Sequence, residues 1–506
     1  MTHLVIAPVL LPLLAGLLLL LLRPLTIGPR RILSLLAVVG QIGLAAALLP
    51  LVANGDIHTY ALGDWAPPFG IVLVADRLAV WMLLITALLA LFALLYGVRG
   101  FDTRGRHFHV LFQWQLFGLN GAFLTGDLFN LFVFFEILLL ASYGLLLHGG
   151  GRLRTRAGLH FVVINLAGST LFLFAAGTLY GMLGTLNIAD LARQVATLPP
   201  EHLGPVQAAG LLLFGVFALK GALIPLHLWL PAAYANTSAP VAALFAIMTK
   251  VGAYSILRID TLIFGAAAGP LAGMIASWVL PLALLTLVIG MLGVLAATAL
   301  RQQIAYLVVA SVGSLLIAFG LGSTAGIAAG LYYLPHATFA AGAFFLLADG
   351  VASRRGEFED RLEPGALLSD RRVLGALFFA VAVLIAGLPP LSGFIGKWLT
   401  LRAAVEHAWM PWVLGVVLVT SLFAIIALAR TGSLLFYRSE PPEDHRPTVR
   451  TESLGRELLP ATGLLLLCMA LVIWAGPVDD FTRATASQLL QPEHYIGAVL
   501  GAGVTP

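Results

Sequence analysis

The chain reads as an all-α polytopic membrane protein, and three observations predict it. Of its 506 residues, 60% are hydrophobic and 10% charged, and the mean hydropathy is +0.98. A soluble chain of this length carries far more polar surface. About fourteen apolar stretches each reach ~20 residues, enough to cross ~30 Å of hydrocarbon as helix. None alternates in polarity over ~10 residues, as barrel strands would.

The spans fall in order near 3–22, 31–53, 77–97, 109–125, 127–148, 157–184, 205–234, 239–260, 273–299, 302–323, 324–350, 372–403, 409–437 and 455–476. The first, from Val5 to Leu22, has no basic residue before it except His3, and its first arginine, Arg23, follows it. That arrangement favours a retained helix over a signal peptide. Arginines then cluster in alternate loops: Arg23, Arg30 and Arg31; Arg99, Arg104 and Arg106; Arg152, Arg154 and Arg156; Arg301; Arg354 to Arg372; and Arg438, Arg446, Arg450 and Arg456. The other loops carry scattered cations such as Arg193, Arg258, Arg402 and Arg483. By the positive-inside rule the first set is cytoplasmic and both termini lie outside. A count of fourteen makes the alternation consistent. The lone Cys468 allows no intrachain disulfide, and the net charge of +4 comes with no basic patch interleaved with aromatics, so no nucleic-acid partner is expected.

Two spans are too long for one straight crossing and carry a breaker near the middle. Segment 205–234 has Pro225 after Lys220, and segment 372–403 has Pro389 and Pro390 before Lys397. Proline removes a backbone donor and clashes with the preceding turn, so helices 7 and 12 should be broken there. Paired broken helices in corresponding halves of a transporter point to inverted repeats and to the transport path. Helices 7 and 12 lie five spans apart, which makes the units five helices long, and the odd number inverts them. Proline kinks without function are the plainer alternative.

Only three lysines occur, Lys220, Lys250 and Lys397, all inside apolar spans. Arginine stays charged, whereas a lysine moved into a dry site can release its proton. Glu136 stands mid-span in FNLFVFFEILLLASY, and each such group costs roughly 2.5–3.5 kcal/mol at the bilayer centre if isolated. Lys220 is the expected partner of Glu136, on neighbouring fifth and seventh spans; a static structural pair is the alternative. His336, in LYYLPHATFAAGAFF, and His227, beyond the first break, suit a relay because imidazole can accept on one nitrogen and donate from the other. A histidine bonded to a neighbouring helix is the alternative for each. His160, Asp76, Arg77 and Asp349 read as boundary residues. No nucleotide loop, metal-spaced cluster or Ser-His-Asp arrangement is evident, so neither an enzyme nor a cofactor is expected.

The stretches GLNGAFLTGDLFNLFVFFEILLLASYGLLLHGG (118–150), ALKGALIPLHLWLPAAYANTSAPVAALFAIMTKVGAY (218–254) and AGLPPLSGFIGKW (386–398) resemble the antiporter-like subunits shared by respiratory complex I and Mrp antiporters. With INLAGSTLFLFAAGTLYGMLGTLNIADLA (164–192) and RRGEFEDR (354–361), the likeness is to the D-type branch of Mrp cation/proton antiporter subunits, over nearly the whole chain. The resemblance implies fourteen helices with inverted five-helix repeats at helices 4–8 and 9–13. The expected divisions are an N-terminal three-helix segment (1–108), two repeats (109–260 and 261–437), and a C-terminal loop, last helix and tail (438–506). It implies that Glu136, Lys220, Lys250, His336 and Lys397 form a proton relay in a complex of about seven different subunits, exchanging Na⁺ or K⁺ for protons. Complex I relatives often carry a lysine at the position of Ala340, so the routing between Lys250 and Lys397 stays open, with water a candidate to fill it. An antiporter-like subunit of a redox complex and a non-transporting scaffold subunit are the rival readings.

Overall fold

In the computed structural model, the described residues are 3–22, 24, 26–365, 368, 370–438 and 454–501. Arg23, Arg446 and Arg450, which the charge alternation uses, lie outside them, as do both chain ends. The long apolar runs fold as helices because a helix satisfies every backbone polar group within its own segment. They are α1 (His3–Leu21), α2 (Ile27–Ala53), α3 (Arg77–Gly97), α4 (Phe108–Leu124), α5 (Leu128–Leu147), α6 (Arg152–Leu183), α7 (Ile188–Ala196), α8 (Leu203–Gly221), α9 (Trp229–Asn236), α10 (Ala239–Phe245), α11 (Met248–Leu262), α12 (Ala276–Ala296), α13 (Leu300–Gly320), α14 (Thr324–Ala352), α15 (Arg371–Ala386), α16 (Ser392–Ala403), α17 (Met410–Gly432), α18 (Leu454–Ile473), α19 (Ala475–Leu489) and α20 (Pro492–Leu500).

Among the described residues, twelve helical segments are long and apolar enough to cross a membrane. Two expected spans fall outside that twelve, each for a visible reason: α4 has 17 residues, and the twelfth span is divided into α15 and α16. Both expected breaks are present, as the turns between α8 and α9 and between α15 and α16. A third break, between α10 and α11, comes at Ala246 and Ile247 without a proline. The chain also forms features the hydropathy pattern does not announce. A short antiparallel hairpin pairs His58–Ala61 with Val72–Ala75, and α19 and α20 follow the last span.

Helices α10, α11 and α14 are buried on every side and form the middle of the bundle. In the N-terminal segment, α1, α2 and α4 are joined by a buried polar ladder. Asn120 Nδ2 donates to Pro8 O at 2.8 Å and to Gln41 Oε1 at 3.1 Å, and Gln113 Nε2 donates to Ser34 Oγ at 3.1 Å. Pro12 has no N–H to offer Pro8, so Asn120 supplies the missing donor.

Charges at the helix ends are paired. Asp76 caps α3 and is buried against Arg258 of α11, whose N–H groups lie 2.5 and 2.9 Å from its oxygens. Arg258, read as a loop cation, is thus corrected to a buried residue of α11, while Asp76 stands at the end of its span. Arg354 makes a two-pronged pair with Glu457 at 2.9 and 2.8 Å, and Asp349 accepts from Tyr96 at 2.8 Å. Beyond the ladder, Asp102 accepts from Arg31 at 2.6 and 2.8 Å and lies 3.1 Å from His109 Nε2. Burial opposes ionisation of Asp102, but the hydrogen bonds from Arg31 and His109 outweigh it and hold its pKa down at about 2.

A lowered folded pKa stabilises above the ordinary value of 3.8 and loses effect as pH falls toward 2. Asp102→Asn should cost about 2 kcal/mol at neutral pH and about half that at pH ~3. Thermal unfolding of the purified protein at the two pH values checks this.

Candidate functional site

Each buried lysine stands beside a place where helix geometry is interrupted. Lys220 is the penultimate residue of α8, just before Ala222 turns left-handed at φ +57°. Its ammonium donates to Asn165 Oδ1 at 3.2 Å and Asn165 O at 3.3 Å. Glu136, half-buried on α5, accepts a hydrogen bond from Ser169 Oγ. Asn165 and Ser169 lie one turn apart on α6, so a single face of α6 serves both charges.

Among the described residues no Glu136–Lys220 ion pair closes to 4.0 Å; both side chains bond to α6, which packs against α5 and α8. The two flanking helices do touch through Phe135 and Phe217, with ring centroids 6.0 Å apart.

Lys250 is wholly buried on the first turn of α11, past the unexpected break. It donates to Ser311 Oγ of α13 at 3.1 Å and to Thr249 Oγ1 at 3.4 Å. Its helix reaches α8 through a glycine pair: a Cβ on Gly252 would lie 2.4 Å from Gly221 N and 2.8 Å from Phe217 O. Absence of that side chain lets the helices carrying Lys220 and Lys250 approach backbone to backbone.

His336 is buried in α14, and its Nδ1 lies 3.0 Å from Ser392 Oγ at the start of α16. A Cβ on Gly393 would come 2.9 Å from the histidine Nε2, so the start of α16 presses on the ring. Lys397, half-buried on α16, donates to Ala386 O at 2.8 Å and Ser421 Oγ of α17 at 2.9 Å. Ala386 stands four residues before Pro390, which has no N–H to return to it. The proline break thus supplies the acceptor for the lysine.

A cavity of about 50 Å³ lies between His336, Lys397 and Ser311, the partner of Lys250, and is walled also by Ala340, Thr420 and Ser421 among others. That volume has room for a few water molecules among polar partners. Its wall includes the small side chain of Ala340. His227 sits in the turn after α8, buried and away from this cavity. Among the described residues no group of His, Cys, Asp and Glu has the arrangement of a metal site.

Sequence reasoning named the charged members and missed their neutral partners. Ser311, Ser392 and Ser421 give no signal in an apolar run. Asn165 and Ser169 did, being two polar residues four apart within one span.

Residues 125–424 match the family described as NADH:quinone oxidoreductase/Mrp antiporter, TM. The chain is 43% identical over 471 residues to a probable K(+)/H(+) antiporter subunit of the D type from Rhizobium meliloti (strain 1021), covering 88% of this chain and 86% of that one. It is 35% identical to the D-type Na(+)/H(+) antiporter subunit of Alkalihalophilus pseudofirmus (strain ATCC BAA-2126 / JCM 17055 / OF4), over 99% of this chain and 100% of that one. A chain of the Mrp complex from Dietzia sp. DQ12-45-1b superposes with a TM-score of 0.87 at 28% identity, covering 99% of this chain and 100% of that chain.

The glycine contact yields a direct test. Gly252→Leu should destabilise the protein by about 1–3 kcal/mol through overpacking, read as a lowered unfolding midpoint in detergent. Gly181→Leu, on the outer face of α6 with open space around its Cβ, should leave the midpoint unchanged.

Proposed function

The chain belongs to the NADH:quinone oxidoreductase/Mrp antiporter transmembrane family, and from that premise we propose that it is the proton-translocating D-type subunit of a multisubunit monovalent cation/proton antiporter. It spans a bacterial inner membrane fourteen times with both termini outside, as inverted repeats at helices 4–8 and 9–13. It acts as a transporter subunit rather than an enzyme, with Na⁺ or K⁺ exchanged for protons by a complex of about seven different subunits.

Protons move along Glu136, Lys220, Lys250, His336 and Lys397. The observation that carries this reading is the shared cavity, in which Ser311 (the partner of Lys250), His336, Lys397 and Ser421 meet. Water there takes the place of a side chain at Ala340. A serine hydroxyl both accepts and donates, so it holds an ammonium or the amine left when the proton departs. At the other end, the charge of Glu136 acts on Lys220 across the Asn165–Ser169 turn of α6, without contact. Lowering the negative charge near Lys220 favours proton release from it, and raising that charge favours uptake. His227, buried beyond the first break, is the nearest candidate for access to that end.

The family also includes subunits of redox complexes, and the relatives' names favour the antiporter reading. Neighbouring genes for iron–sulfur or quinone-reducing subunits would favour the redox reading instead.

In inverted membrane vesicles holding the assembled complex, Lys220→Ala should lower cation-driven proton movement at least tenfold while assembly stays normal. Exchange at the wild-type rate with normal assembly would contradict the relay.

A further inference from the structure

Two cavities stand end to end between α12, α13 and α17. One is the Lys397 cavity. The other, of about 430 Å³, lies toward the arginine-rich face, where the exposed Arg361 and Glu363 border it. The same three helices wall both, and the wall residues change over within about one turn. They are Met291 and Leu295 on α12, Ile304 and Gln303 on α13, and Ala424 and Ala427 on α17. The partition is therefore about 5 Å thick.

On the larger cavity's side of it, Gln303 and Thr431 are buried polar wall residues, each 2% exposed. Thr431 Oγ1 donates to Gln303 Oε1 at 3.0 Å, and Gln303 Nε2 donates to Val294 O at 3.2 Å. Val294 lies in the last turn of α12, where carbonyls lack an intrahelical donor, so the amide ties the end of α12 to α17. One residue beyond Thr431, after Gly432, α17 gives way to a π-helical turn at Ser433–Tyr437. Such turns are rare and cluster at functional sites. Two neutral groups joined by one hydrogen bond separate more readily than a buried ion pair when water satisfies the groups they free.

We propose that Gln303 and Thr431 form a polar latch on a water passage between Lys397 and the arginine-rich face. When Thr431 turns away, the cavities join, and a proton leaving Lys397 Nζ passes to water and out along the passage. The amine is reprotonated from the His336 side. With the latch closed, Lys397 exchanges protons with the relay alone. This proposal rests on the reading of Lys397 as a proton carrier.

The test uses the assembled complex in inverted membrane vesicles with a respiration-generated pH gradient. Removing the latch, in Gln303→Ala with Thr431→Ala, should make the gradient decay at least threefold faster without Na⁺ or K⁺. Adding Lys397→Ala to that pair should restore the wild-type decay, which a leak from misfolding would not do. Gln303→Leu should slow exchange at least tenfold, and Thr431→Ser should stay within twofold of wild type. The latch is overturned if its variants all hold the gradient and exchange normally while Lys397→Ala alone stops exchange. If Lys397→Ala alone leaves exchange intact, the relay reading itself fails and the latch with it.

Discussion

The ammonium of Lys397 rests on the carbonyl of Ala386, which Pro390 leaves without a backbone donor. In hydrocarbon an unsatisfied carbonyl costs several kcal/mol, so each proline inside a span creates a demand that another element must meet. The chain meets it repeatedly in this way. Asn120 donates to Pro8 O, freed by Pro12, and Trp81 Nε1 donates to Leu331 O, freed by Pro335. Those two contacts hold helices together. At Lys397 the same demand holds an ammonium.

The kinds of partner separate the arginines at the membrane faces from the lysines of the interior. Near the membrane faces, Arg258 with Asp76 and Arg354 with Glu457 are two-pronged ion pairs, the geometry that locks both members. In the interior, the three lysines meet neutral oxygens: the amide and carbonyl of Asn165, the hydroxyls of Ser311 and Ser421, and the carbonyl of Ala386. Neutral partners satisfy hydrogen bonds without fixing the protonation state. Close packing does the rest, since the Gly221–Gly252 contact brings α8 and α11 together and Gly393 brings α16 onto His336.

Much of the fold was legible because its signals are local. Apolar runs mark the spans, and Pro225, Pro389 and Pro390 mark two breaks that the structure places where expected. Lysine inside an apolar run marks itself. The rest depends on contacts between distant segments. No proline announces the break between α10 and α11, and nothing in the runs around Ser311 or Ser421 distinguishes them from lipid-facing serines. The partnership of Glu136 with Lys220 is read from the nearness of two spans, and nothing in that reading shows that α6 supplies a hydrogen-bond partner to each. Arg258 sits near the end of its span and so reads as a loop cation, although Asp76, distant in sequence, buries it.

The proposed relay requires Lys397 to release a proton and not merely to carry charge. Lys397→Arg separates the two, because guanidinium keeps the charge and stays protonated at any accessible pH. With assembly of the complex verified, cation-driven proton movement in inverted vesicles should be lost in Lys397→Arg as fully as in Lys397→Ala. Exchange retained by Lys397→Arg and lost in Lys397→Ala would show that fixed charge suffices, and would contradict the account.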